Sequence, residues 1–120
     1  MKLATDTAVA FIAILHLYIL WLEMFAWTTR GPKSFKSIPS HLFEPTKKLA
    51  ANQGLYNGFL AAGLIWSLLI SDPAWSNNIA LFFLGCVFVA GVYGAATAQK
   101  TILFVQSVPA AIAMLLVFLS

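Results

Sequence analysis

The sequence predicts an all-α integral membrane fold: a four-helix transmembrane bundle with one long basic cytoplasmic loop between the first and second helices, in a single domain over residues 1–120. Three observations predict it. The 120 residues are 61% hydrophobic and 9% charged, with a mean hydropathy of +0.87, which is too apolar for a soluble domain of this size. Four stretches each offer about 20 mostly apolar residues, the length that crosses a hydrocarbon core of about 30 Å. Between the first two, Arg30, Lys33, Lys36, Lys47 and Lys48 are offset only by Glu44. Membrane lipids are the expected partners, and nucleic acid is not.

The first stretch runs from about Leu3 to Thr28. Lys2 before an apolar run resembles a signal peptide, but the run is longer than a usual h-region and ends in Glu23-Met24-Phe25-Ala26-Trp27 rather than a small-residue cleavage site, so it is expected to stay as a helix. His16 and Glu23 share a face there with Ile19, Leu20 and Trp27. Glu23 is the one acid clearly inside a span and reads either as an interfacial carboxylate or as a buried acid in a polar cluster; His16, deeper and alone, reads as a packing residue. From Thr29 to about Lys48 the chain is basic, and Pro32, Pro39 and Pro45 interrupt any long helix. The centre of this loop, Phe35 to Phe43, alternates apolar with polar residues and is expected along the membrane surface.

The second span, about Thr46 to Ile70, carries the run Asn52-Gln53-Gly54-Leu55-Tyr56-Asn57-Gly58 near its start. At about 100° per residue, Asn52, Gln53, Tyr56 and Asn57 share one face, while Gly54, Gly58, Ala61 and Ile65 line roughly the opposite one. The short turn Ser71-Asp72-Pro73 follows, flanked by Trp66 and Trp75 as in an interfacial aromatic belt, and Asn77 and Asn78 mark the start of the third span, which runs to about Ala98. That span sets a smooth surface of Gly91, Gly94, Ala95 and Ala98 against another side with Cys86, Ala90, Tyr93 and Thr97. Cys86 is the only cysteine, which excludes an internal disulfide and leaves a packing role. Thr101 can cap the fourth span. Within it, Pro109 lacks an N–H, frees the carbonyl of Val105 and is expected to kink the helix beside Gln106.

Comparing depths gives the candidate site. Glu23, Asn52, Gln53, Tyr56, Asn57, Tyr93, Thr97 and Gln106 all fall in the half of the bilayer next to the basic loop, and the other half is almost entirely apolar. Carboxamides in a membrane are costly unless they find partners at their own depth. The layer reads as a ligand site, with Glu23 as the acid, the carboxamides and Thr97 orienting a ligand, and the tyrosines offering a hydroxyl and an apolar face. The plainer reading is a hydrogen-bond network that only holds the helices together, at about 1 kcal/mol per bond. No nucleophile–base pair, phosphate-binding glycine loop or metal-ligand cluster is recognisable, and the cofactor and reaction stay open.

The same residues carry a resemblance. Leu22-Glu23-Met24, the run Asn52 to Leu64, Ala90-Gly91-Val92-Tyr93-Gly94-Ala95 with Thr97, and Gln106 with Pro109-Ala110 resemble the bacterial membrane-protein family known as domain of unknown function 1304, over essentially the whole chain. The resemblance implies four transmembrane helices and no chemistry. A weaker one, in the order of elements, is to the membrane-associated eicosanoid and glutathione metabolism proteins, which it implies as a source for the architecture and a trimeric assembly. Lys47, Lys48 and Asn52 echo that family's second-helix motif, but Leu55 stands where its carboxylate is expected, and its intramembrane arginines are missing.

Three functional classes therefore stand beside a purely structural network: a binder of a small amphiphile or lipid-like ligand, a membrane-bound transferase of the eicosanoid and glutathione type, and a small multidrug-type transporter. The last is expected to show weak charge bias and a glutamate near mid-span; this chain has a strong bias and a glutamate near one end. Arg30, Lys33, Lys36, Lys47, Lys48 and Lys100 on one side against Lys2 on the other place both termini outside a bacterial inner membrane. The small-residue faces of the second and third spans predict a homo-oligomer, with a trimer preferred by analogy.

Overall fold

Helix α1, Lys2–Phe25, opens the chain in a computed structural model that describes residues 1–120. Thr5, Val9, Ile12, Ala13 and His16, spaced by three and four, are its buried stripe. The helix stops at Ala26 (φ −130°, ψ 21°), whose N–H still donates to the Leu22 carbonyl. The last helical residue, Phe25, is three residues short of the expected end, so Trp27 leaves the face it would have shared with His16 and Glu23. Its indole packs instead on Phe43 and Phe35, with ring centroids 4.9 and 5.4 Å away, and its Nε1–H donates to Thr46 Oγ1 at 3.0 Å.

The segment expected along the membrane surface folds into a compact cap. Its backbone forms a short helix α2, Gly31–Ser34, and a 3₁₀ turn, Ser40–Leu42. A Cβ on Gly31 would stand 2.9 Å from the Phe43 ring, so only glycine lets that ring close over Trp27. Phe43 (2% exposed) and Trp27 make a small core with Ala50, and Phe35 and Ile38 pack against it. The alternation of apolar and polar residues places Phe35, Ile38 and Phe43 in this core and leaves Lys33 and Lys36 exposed.

Helix α3 spans Lys47–Leu69 and helix α4 spans Pro73–Thr97. The latter begins four residues before Asn77, because Asp72 supplies an N-cap, its carboxylate accepting the Trp75 N–H at 3.0 Å, and Pro73 sits where a missing N–H costs nothing. The fourth long segment is two pieces, a π-helical stretch, Leu103–Ser107, and α5, Val108–Leu119. Five α-helices and no strand form. The distortion expected beside Gln106 is a π-helical turn just before Pro109: the Val108 N–H donates to the Leu103 carbonyl, five residues back.

Helices α1, α3, α4 and α5 pack in a ring, each on the next and α5 back on α1. Val9, Ile12, Ala13, Leu64, Ala80, Leu84, Val87, Ala110, Ala113 and Val117 form the core at its centre. The two termini lie at one end, where Thr5 Oγ1 and Ser120 Oγ are 2.7 Å apart. At the other end the cap meets the α4–α5 connection: Ser37 Oγ donates to Gln99 Oε1 at 3.1 Å and Gln99 Nε2 to the Ser34 carbonyl at 3.4 Å.

The glycines expected on interaction faces are used inside the chain. Gly54 and Gly58 take α1, Gly63 takes the Phe83 ring, and Gly91 and Gly94 take the segment before α5. Large apolar side chains face outward on every long helix, among them Leu3 (81% exposed), Leu69 (78%) and Phe118 (75%). Two helices, Lys2–Phe25 and Pro73–Thr97, are long and apolar enough to cross a membrane.

Candidate functional site

Close approach of α1 and α3 creates the first half of the site. A Cβ on Gly54 would stand 2.7 Å from Met24 Cγ, 3.1 Å from Glu23 Cβ and 3.2 Å from the Leu20 carbonyl, so the two helices touch here almost backbone to backbone. That contact brings Asn57, one turn further along α3, against Glu23: Asn57 Nδ2 donates to Glu23 Oε1 at 2.7 Å and to the Gln53 carbonyl at 3.1 Å. Both partners of that nitrogen are acceptors, which fixes the orientation of the amide.

The π-helical stretch creates the second half. Ser107 Oγ donates to the Phe88 carbonyl at 2.8 Å, and Gly91, without a side chain, lets the Ser107 backbone come in against α4. Gln106 is then directed to α1, where its Nε2 meets His16 Nε2 at 3.2 Å. His16 is wholly buried. Its Nδ1 donates to the Ile12 carbonyl at 2.8 Å, because a carbonyl can only accept, so Nε2 is the ring's acceptor and the Gln106 amide nitrogen its donor.

Between these two pairs lies a half-open cavity of about 570 Å³ at the capped end of the bundle. Glu23, Gln53, Asn57, Tyr93, Thr97 and Gln106, six of the eight residues expected from the sequence, line it together with Tyr18, Ile19, Leu22 and Val105, and with Phe35 and Gln99 from the cap and its partner turn. Thr97 Oγ1 donates to the Tyr93 carbonyl. Asn52 and Tyr56 do not reach the cavity; both are exposed on the outer side of α3. The polar arc of α3 is too wide for one contact. At about 100° per residue, Asn57 lies only about 60° from Gly54, so the α1 interface takes Asn57 and the glycines and leaves Asn52 and Tyr56 turned away.

His16, Ser107 and Gln99 build this site and were not among the expected site residues. The seven-residue spacing of His16 and Glu23 was a signal for the first. Gln99 carried none, since a residue in a short turn belongs to no helical face. Beyond the cavity, Leu81, Phe82, Gly85, Cys86 and Val89 form a shallow, open apolar groove on the face of α4 alone, and Ala90 and Tyr93 line both it and the cavity. Cys86 therefore belongs to the groove and not to the polar site. No group of three His, Cys, Asp or Glu side chains comes together.

The family model described as a protein of unknown function (DUF1304) matches residues 10–118. The chain belongs to the DUF1304 family. Within the match fall all of the cavity's polar residues and both glycine contacts that shape it. The chain is also similar to the uncharacterised protein YpaA of Lactococcus lactis subsp. lactis (strain IL1403), with 29% identity over 106 residues that cover 87% of each chain. No solved structure matches.

Proposed function

We propose that this DUF1304 protein is a four-helix integral membrane protein that binds a small amphiphile, its polar head in the cavity beside Glu23, Asn57 and Gln106 and its apolar part in the groove along α4. The observation that carries this reading is that Ala90 and Tyr93 line both spaces. A polar chamber continuous with an open apolar helix face matches a molecule with one wet and one greasy end. The membrane setting is supported by the outward-facing apolar side chains, and by a long axis of 48 Å, more than the hydrocarbon core of about 30 Å.

The cavity lies at the end that carries the basic cap, and Arg30, Lys33, Lys36, Lys47 and Lys48 are all exposed there, with no ion pair among them. By the positive-inside rule that end faces the cytoplasm of a bacterial inner membrane and both termini face out. Reporter fusions at Ser120 are expected to behave as external; a cytoplasmic signal overturns this orientation.

The binding reading is tested by two variants. Glu23→Gln keeps the shape and removes the charge, and Asn57→Leu keeps the bulk and removes the hydrogen bonds. Each is expected to lose at least about tenfold of the amphiphile that co-purifies with the parent, read by mass spectrometry of the extracted protein. If both fold and keep the parent's full lipid complement, the polar pairs serve only to hold α1, α3 and α5 together. A transferase of the glutathione type has less support, because no Lys or Arg lines the cavity to hold a thiolate.

A further inference from the structure

We infer that the head of the bound amphiphile is a primary ammonium on an apolar chain, received by Glu23, Asn57 and Gln106; this rests on the binding reading above and names its substrate class. The hydrogen bonds already made decide what is left over. Asn57 spends its amide N–H groups on Glu23 Oε1 and the Gln53 carbonyl, which leaves Asn57 Oδ1 and Glu23 Oε2 without a partner in the protein. Gln106 is held by its nitrogen to His16, whose tautomer is set by the Ile12 carbonyl, which leaves Gln106 Oε1 without a partner as well. With Glu23 ionised these three oxygens are all acceptors, and the second amide N–H of Gln106 is the one donor left among the three side chains. An ammonium group carries three donors and no acceptor.

Charge leads to the same class. Glu23 is the only acid lining the cavity, and no Lys, Arg or His lines it with Glu23. The lysines of the cap are exposed and lie outside it. An anionic head would be desolvated beside a carboxyl group with no counter-charge, whereas a cation would find one. Gln53 and Tyr93 each carry donors and acceptors and favour neither sign. Tail length follows the open apolar face of α4 from Leu81 to Tyr93, twelve residues or about 18 Å at 1.5 Å per residue. A saturated chain of about twelve carbons fits within that length.

The test uses the intact protein in phosphatidylcholine nanodiscs, with empty nanodiscs subtracted, and four isotope-labelled probes: dodecylamine, dodecyltrimethylammonium, dodecanol and dodecanoate. Dodecylamine is expected to bind at least about tenfold more tightly than dodecanol or dodecanoate, and more tightly than the trimethyl compound, which has the charge but no N–H. Glu23→Gln is expected to remove the preference for the amine over the alcohol. Equal binding of all four, or a preference for dodecanoate, overturns the ammonium head while leaving an amphiphile site in place. No binding of any probe above empty nanodiscs overturns the binding reading itself. The four-probe comparison on the unaltered protein decides between these even where Glu23→Gln fails to fold.

Discussion

Replacing His16 with alanine is expected to destabilise the protein by about 4 kcal/mol, more than any exposed substitution. The ring is completely buried between α1 and the segment before α5. Its removal opens a cavity, and large-to-small changes at such sites cost about 2–5 kcal/mol. It also takes the partner from the half-buried Gln106 amide, which costs less than the about 1–3 kcal/mol of a fully buried group because the cavity beside it is half-open. The companion variants separate the two contributions. His16→Leu refills most of the volume and is expected to cost about 2 kcal/mol. Adding Gln106→Leu to it removes the stranded group and is expected to recover about 1 kcal/mol, since apolar replacement of both partners of a bond is close to neutral. Equilibrium unfolding in mixed micelles measures all three. If adding Gln106→Leu to His16→Leu recovers nothing, the pair is not the unit described.

Gly91→Ala is expected to cost about 2–3 kcal/mol, the range for forcing extra atoms into a packed contact. The added Cβ would overlap Ser107 Oγ, stand 2.8 Å from the Ser107 backbone nitrogen and 3.0 Å from Gln106 Cβ. Side chains can turn aside, but a backbone nitrogen inside a helical turn cannot. The whole π-helical stretch therefore has to shift, and Gln106 moves off His16. Gly85→Ala, six residues earlier on the same helix, is the control. A Cβ there meets nothing within 4 Å, so the change is expected to be neutral or to stabilise by up to about 1 kcal/mol through the better helix propensity of alanine. Thermal unfolding of the two variants side by side checks the contrast. Equal midpoints overturn the role given to Gly91.

The site was partly legible for a definite reason. Periodicity finds residues on one face of one helix, and Glu23, Gln53, Asn57, Tyr93, Thr97 and Gln106 each stand on a helix or its π-helical extension. The start of α4 was also legible and was placed too late: Asp72 followed by Pro73 is a cap and a first-turn proline, a stronger signal than the two asparagines beyond it. Trp27 was misplaced because nothing between Glu23 and Thr28 announces the end of α1. That helix ends where it does because the indole gains a core with Phe35 and Phe43, far along the chain.

By itself the sequence determined the helical class, the long apolar segments, the basic loop between the first two and the concentration of polar groups at the end next to that loop, because each follows from composition or from the period of a single helix. Only the tertiary structure decided which part of the polar arc of α3 turns inward, that His16 orients Gln106, that Ser107 docks on Gly91, and that Gln99 ties the α4–α5 connection to the cap. Those outcomes depend on how closely two helix backbones approach, and that distance is set by the absent side chains of Gly54 and Gly91 together with whatever stands opposite them. A helical period states which residues share a face; it does not state which neighbour that face will meet.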